Sequence, residues 1–274
     1  MILEWLEAIL TPCARDRRDL GYRTELIAIG ARYRRCRTAW ADHLRRSRRA
    51  VETAIARTHG RDTAIILGSG RLLDVPLAAL SAAFRCVVLV DALHPLPARI
   101  LARRYPNVEL RSHDITGTVA ALHDLKPGGA LPVPRPYPPL RGAGVDLVVS
   151  LNLLSQLGVL PGEWISRRLG PGVDGAGGDT AEAFSAALAR AHLDDLSRCR
   201  ATVCLITDVE RLYSGPDGTV LEREASVAGV ALPPPAEAWM WPIAPAPESD
   251  PVVSETRRVV VVYDPGKAAP GAGG

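Results

Sequence analysis

At 274 residues with 47% hydrophobic side chains, the chain can bury a sizeable core, as one large domain or two small ones. No window approaches the ~18 uninterrupted apolar residues of a membrane span, and Cys13, Cys36, Cys86, Cys199 and Cys204 form no C-x-x-C pair and no zinc spacing with histidine. The net charge of +3 is uneven: residues 1–61 hold 14 Arg against 7 acidic residues, so only this segment is basic.

The opening MILEWLEAIL lacks a basic start, carries Glu4 and Glu7, and runs into Pro12. It reads as a short amphipathic helix rather than a signal peptide, and the expected location is the cytoplasm. Cys36, Trp40, Leu44, Val51 and Ile55 recur near a 3.6-residue period, which predicts a helix leading into the first strand. Arg45, Arg46, Arg48 and Arg49 lie mostly off that stripe, where they could meet nucleic acid. Lys126 and Lys267 are the only lysines, however, so any solvated helix face in this chain fills with arginine, and that reading is preferred. Strand-like and helix-like segments then alternate: TAIILG, a helix over about 75–84, CVVLVD, a helix through PARILARRY, VELRSHD, a short helix in TVAALHDL, and VDLVVSL. Continuous apolar strands alternating with helices predict a parallel sheet covered on both faces.

The stretch KPGGALPVPRPYPPLRGAG, Lys126 to Gly144, is too rich in proline for a helix or central strand and is read as an inserted loop, a mobile flap near the acceptor pocket. A glycine-rich stretch from Gly170 separates a short helix near Trp164 from a longer one that places Phe184, Leu188, His192 and Leu196 on one face. His192 there reads as a packed histidine rather than a base. ATVCLITDVE is another buried strand, and TVLEREASV follows it. AWMWPIAPAP and TRRVVVVYD, with no helical period between them, should pair antiparallel. The chain thus divides into a helical addition (1–60), an α/β domain (61–264) and a tail (265–274) expected to be disordered.

The first strand ends in Gly68-Ser69-Gly70, a turn that lets a ligand lie against the backbone. Asp91 closes the second strand 21 positions after Gly70, close to the spacing at which a carboxylate meets a ribose diol. Asp114 closes the third, where it could accept from an adenine amino group. Each has a local alternative: the glycines make a turn, Asp91 caps a loop, and Asp114 starts the helix after Thr116. Downstream of the turn, Leu72 and Leu73 crowd the approach, and Asp74 is a good N-cap with Pro76 in the first turn. A pyrophosphate is unwelcome beside that acid, whereas an adenosyl ligand with a sulfonium and an ammonium is not.

The order LGSG, VLVDALHP, RSHDI, VDLVVSLNLL and a final VVVVYD resembles the class I S-adenosylmethionine-dependent methyltransferases over about 63–263. The resemblance implies a Rossmann-like, seven-stranded, mostly parallel sheet with helices on both faces and the last strand antiparallel. It implies S-adenosylmethionine as cofactor, with methionine contacts at Gly68, Ser69 and Gly70, ribose contacts at Asp91 and Ala92, adenine contacts at Asp114 and Ile115, and further contacts at Leu151 and Asn152. Two positions depart from the family pattern: Ile66 stands where an acid is usual and Leu72 where a third glycine is usual. Asp74 is the residue available to replace the missing acid.

Methyl transfer from a sulfonium requires alignment and exclusion of water, and a base is optional. Candidates at strand ends are Asn152, Gln156, His94, Asp208 and Glu210, which form no recognisable catalytic set. Asn152 is not followed by the Pro-Pro-aromatic sequence of amino-methylating nucleic-acid enzymes. The expected acceptor is therefore a small molecule. Trp239 and Trp241 alternate to one side of an extended segment and read as a core edge close to the pocket. Two other classes compete: an NAD(P)-dependent oxidoreductase, against which Leu73 at the third-glycine position counts, and a catalytically silent adenosyl- or nucleic-acid-binding module.

Overall fold

The computed structural model describes residues 2–126, 129–169, 176–227 and 229–266. Residues 170–175, the first part of the glycine-rich stretch, and nearly all of the C-terminal tail lie outside them. Four helices precede the sheet: α1 (Ile2–Leu10), α2 (Arg15–Asp19), α3 (Tyr22–Arg35) and α4 (Arg37–Arg57). Strands and helices then alternate as β1 (Thr63–Leu67), α5 (Leu77–Ala83), β2 (Cys86–Asp91), α6 (Leu96–Ala102), β3 (Val108–Ser112), α7 (Val119–His123) and β4 (Val145–Leu151). α8 (Val159–Leu169) and α9 (Ala176–Ser197) lead to β5 (Thr202–Ser214), β6 (Val220–Ala225), β7 (Glu237–Ala244) and β8 (Ser254–Tyr263).

The sheet runs β3-β2-β1-β4-β5-β8-β7, with β1 to β5 parallel and β8 antiparallel between β5 and β7. This Rossmann-like order puts the carboxyl ends of β1, β2, β3 and β4 along one edge, on either side of the point where the chain reverses direction across the sheet. The sheet has an eighth strand that the sequence reading did not count. β5 overruns the edge of β4, and β6 pairs antiparallel with that overrun, Glu210 to Ser214, as an exposed hairpin arm.

Alternation along the strands supplies both faces of the sheet with apolar side chains, as a parallel sheet requires. Ala64, Ile66, Val87, Leu89, Leu147 and Val149 face one core with Leu77 and Leu80 of α5 and Trp40, Leu44, Val51 and Ala54 of α4. Ile65, Leu67, Val88, Val90 and Val148 face the other with Leu122, Ile165, Phe184, Leu188 and Leu196. The predicted α4 stripe is therefore the seam by which the N-terminal helices join the sheet's own core. It is fastened by Trp40 Nε1 donating to the Ile243 carbonyl at 2.9 Å and by the Tyr263 hydroxyl donating to the Ala50 carbonyl at 3.2 Å.

Two local expectations need correction. α5 begins at Leu77 rather than near Val75, and Asp74 does not cap it: Pro76 occupies the cap position and the Asp74 carboxylate turns away to Asn152. Pro76 disfavours helical backbone at the residue before it, so the chain stays irregular through the turn. The second half of the proline-rich insert is pinned to the body of the domain: Tyr137 N–H donates to Asp195 Oδ2 at 2.7 Å, Arg141 pairs with the same carboxylate, and Arg135 N–H reaches the Thr116 carbonyl at 2.9 Å. Among the described residues no helix is long and apolar enough to cross a membrane.

Candidate active site

Along the carboxyl edge lies a cavity of about 280 Å³. Its floor is the turn after β1. Gly68 and Gly70 have φ of +76° and +44°, conformations that glycine adopts without steric cost. A Cβ on Gly68 would stand 2.6 Å from the Leu151 carbonyl oxygen, so this turn and the end of β4 are in backbone contact. Leu72 adopts a left-handed backbone, with φ of +60°, and buries its side chain in the core. That strain, about 1–2 kcal/mol, is offset by burial of the leucine, worth about 1.5–3 kcal/mol.

Asp91 reaches back across the turn, its Oδ2 accepting the Gly70 N–H at 2.7 Å. Burial raises its carboxyl above the usual range, and the Gly70 N–H opposes that rise. Asp114 is more heavily engaged. Its Oδ1 accepts from Thr116 N–H at 2.9 Å and Thr116 Oγ1 at 2.6 Å, and its Oδ2 accepts from Val119 N–H at 2.8 Å. The carboxylate thus organises the loop that presents Ile115 to the cavity. At the end of β4, Asn152 has φ of +48° and donates from Nδ2 to Asp74 Oδ2 at 2.8 Å. Burial raises the Asp74 carboxyl, a rise opposed by the Asn152 bond. Asn152 Oδ1 and Ser69 Oγ are buried without a hydrogen-bond partner among the described residues.

The far end of the cavity is built by α4, β5, β7 and β8. His43 is buried, accepts at Nδ1 from Trp239 Nε1 at 3.1 Å, and stacks on Trp241 at 3.8 Å. Burial pushes its imidazole down to about 3, so the ring is neutral. Asp208 accepts from Ser155 Oγ and lies 3.5 Å from Arg257 Nη1, while Arg257 Nε also reaches Glu255 at 2.9 Å. The near end is roofed by α2 and α3. Arg17 donates to the Ala92 carbonyl at 2.7 Å, and the Tyr22 hydroxyl is held un-ionised by burial and by the charges of Asp114 and Asp91. Arg71 lines the wall and pairs with Glu7 of α1.

All nine residues singled out from the sequence, Gly68, Ser69, Gly70, Asp91, Ala92, Asp114, Ile115, Leu151 and Asn152, line this one cavity. Of the catalytic candidates, Asn152, Gln156 and Asp208 line it as well. His94 is buried outside the lining, and Glu210 sits on the overrun of β5, paired with Arg223 at 2.7 Å. His192 is buried against Ser150 Oγ at 2.9 Å, a packed histidine as expected. Trp241 lines the cavity, and Trp239 reaches it through His43. The sequence reading missed His43, Arg17, Tyr22 and Arg257. For His43 a signal existed: with Trp40, Leu44 and Ser47 it completes the inward face of α4.

No protein-family model matches the chain, and no curated protein matches it. Among solved structures it is similar to the 1,6-didemethyltoxoflavin-N1-methyltransferase of Burkholderia thailandensis, bound to 1,6-didemethyltoxoflavin and S-adenosylhomocysteine. That match has a TM-score of 0.36 and 14% identity over 91% of each chain. A DhpI complex with SAM matches at a TM-score of 0.34 and 14% identity, over 90% of this chain and 99% of that one. The N-methyltransferase NodS of Bradyrhizobium japonicum, with S-adenosylhomocysteine, matches at 0.31 and 10% identity, over 79% and 86%. At such identities no residue here inherits a role from them.

Proposed function

We propose that the cavity binds S-adenosylmethionine and that the protein transfers its methyl group to a small molecule held at the β4–β5–β7 end. The observation that carries this reading is the succession of Gly68-Ser69-Gly70, Asp91 and Asp114 at three adjacent strand ends in one cavity, with Asp91 fastened to the Gly70 N–H. The residues fit the cofactor part by part. Asp91 Oδ1, which accepts a long 3.5 Å contact from Leu93 N–H, remains available to a ribose diol. Asp114 and Ile115 border the place for an adenine. The buried, unpartnered Ser69 Oγ and Asn152 Oδ1, with the Asp74 carboxylate beside them, suit an ammonium, and Asp74 thereby takes the part of the acid absent at Ile66.

S-adenosylmethionine supplies an electrophilic methyl group on a sulfonium. The chain's own residues contribute alignment and exclusion of water. Arg17 and Tyr22 close the near end, while Trp241, Ile243 and Leu44 make the far end apolar. His43 and His94 are held below the ordinary histidine range by burial, so neither is a protonated acid at neutral pH. A small acceptor is favoured over nucleic acid because three of the four α4 arginines are engaged locally: Arg45 and Arg46 with Asp42, and Arg48 with the Leu73 carbonyl. The oxidoreductase reading is disfavoured because α5 starts only at Leu77, so no helix N-terminus meets the glycine turn to receive a pyrophosphate.

Calorimetric titration with S-adenosylmethionine, S-adenosylhomocysteine and NAD tests the proposal. The first two should bind and NAD should not. In Asp91→Ala, loss of charge-assisted bonds costs about 1.5–3 kcal/mol, roughly 10- to 150-fold in affinity. Tight binding of NAD alone, or unchanged S-adenosylhomocysteine affinity in a folded Asp91→Ala, overturns it.

A further inference from the structure

His43 is a polar ring in an otherwise apolar seam, and its hydrogen bonds leave an unmet demand. An indole N–H can only donate, so the 3.1 Å contact from Trp239 makes His43 Nδ1 the acceptor. The neutral ring then carries its proton on Nε2. That N–H faces Asn152 Nδ2 at 3.4 Å. The Asn152 amide is itself oriented by Asp74, which accepts from Nδ2 at 2.8 Å, so the group opposite His43 is a second donor. Two donors cannot satisfy one another. Among the described residues no acceptor serves His43 Nε2, and stacking against Trp241 at an interplanar angle of 5° holds the ring from turning to seek one.

The missing partner must accept from His43 Nε2–H and from the second Asn152 N–H, whose nitrogens lie 3.4 Å apart, which a carbonyl oxygen with its two lone pairs can do. The surrounding wall is Trp40, Trp241, Leu26, Ile29, Leu44 and Ile243. The charge of Asp208 at this end is already matched by Arg257. Such a place suits an apolar body without net charge.

We propose that His43 is a specificity-determining residue: its Nε2–H, with the second N–H of Asn152, hydrogen-bonds a carbonyl oxygen on a small uncharged methyl acceptor. This rests on the reading of the cavity as a methyl-transfer site, but its test does not depend on turnover. The probes are oxindole and its carbonyl-free counterpart indoline, titrated by NMR with and without S-adenosylhomocysteine. Wild-type protein should bind oxindole roughly five- to tenfold more tightly, the worth of one buried hydrogen bond. His43→Phe should lose most of that preference, keeping only what the Asn152 N–H supplies, and His43→Gln, which keeps an N–H, should recover part of it. In wild-type protein the His43 Nε2 proton should move downfield with oxindole and not with indoline, a readout that needs no variant to fold. Equal binding of the two probes by wild-type protein, an undiminished preference in His43→Phe, or an unmoved ring proton overturns the proposal. If S-adenosylhomocysteine fails to bind while the oxindole preference stands, the cofactor reading falls and the role of His43 does not. If it binds and the preference is absent, only the role of His43 falls.

Discussion

His192 and His43 are both buried imidazoles, each bonded at one ring nitrogen to a neutral partner, Ser150 for one and Trp239 for the other. Burial lowers them to about 4 and about 3 from an ordinary 6.5. The unfolded chain therefore takes up these protons as pH falls below about 6.5, whereas the folded chain does not until far lower. Acid favours the unfolded state throughout that window, and stability falls as pH falls, by on the order of 1 kcal/mol per pH unit for each ring. Urea unfolding between pH 7 and pH 4.5 should show this slope, and His192→Gln, which can still bond Ser150, should lose the share of one ring, on the order of 1 kcal/mol per pH unit. An unchanged slope in that variant would mean that His192 is already charged in the folded protein. Asp74 was legible as an acid in the right place and misread as a cap, because the residues around it, Pro76 above all, carry cap chemistry while its actual partner is Asn152, 78 positions away.

The insert between α7 and β4 shows how a loop of unpromising composition becomes ordered. Proline excludes helix and central strand, which the sequence shows, but says nothing of what the loop leans on. Here the answer is one carboxylate on α9: Asp195 receives Tyr137 N–H and Arg141 and so holds a short helical turn, Pro138–Arg141, against the second core. Tyr137 in turn lies 4.8 Å from His113, whose ring borders the cavity. Trypsin offers a clean check, because Lys126 and Arg135 each precede proline and leave Arg141–Gly142 as the sensitive bond of this loop. Wild-type protein should resist cleavage there. Asp195→Ala removes charge-assisted bonds, so the loop should open and be cut roughly tenfold faster or more, since cleavage follows the population of the opened state. Equal rates in the two proteins would show that Asp195 does not hold the loop.

The division of labour across the cavity explains what a single sequence discloses. Strand ends in a parallel sheet are fixed by alternation and length, so Asp91, Asp114 and Asn152 fall at one edge whatever covers them. The roof and the far end depend on pairings between distant segments: Arg17 meets Ala92 across 75 positions and His43 meets Trp239 across 196, and no local period records either. The added β6 arm was missed for a related reason, since all of its residues are exposed and no apolar alternation marks it. The seam between α4 and β7 has an optical consequence. Trp40 and Trp241 meet edge to face at 5.0 Å, and Trp239 and Trp241 both touch His43, whereas Trp5, 64% exposed on α1, stands in solvent. Coupled indoles in a fixed chiral array give a strong near-ultraviolet circular dichroism band, and here the edge-to-face pair lies at one end of the cavity. Tryptophan is absent from the lining beside Gly70, Asp91 and Asp114, so the chain carries its own indole chromophore at the other end of the cavity, where α4 meets β7.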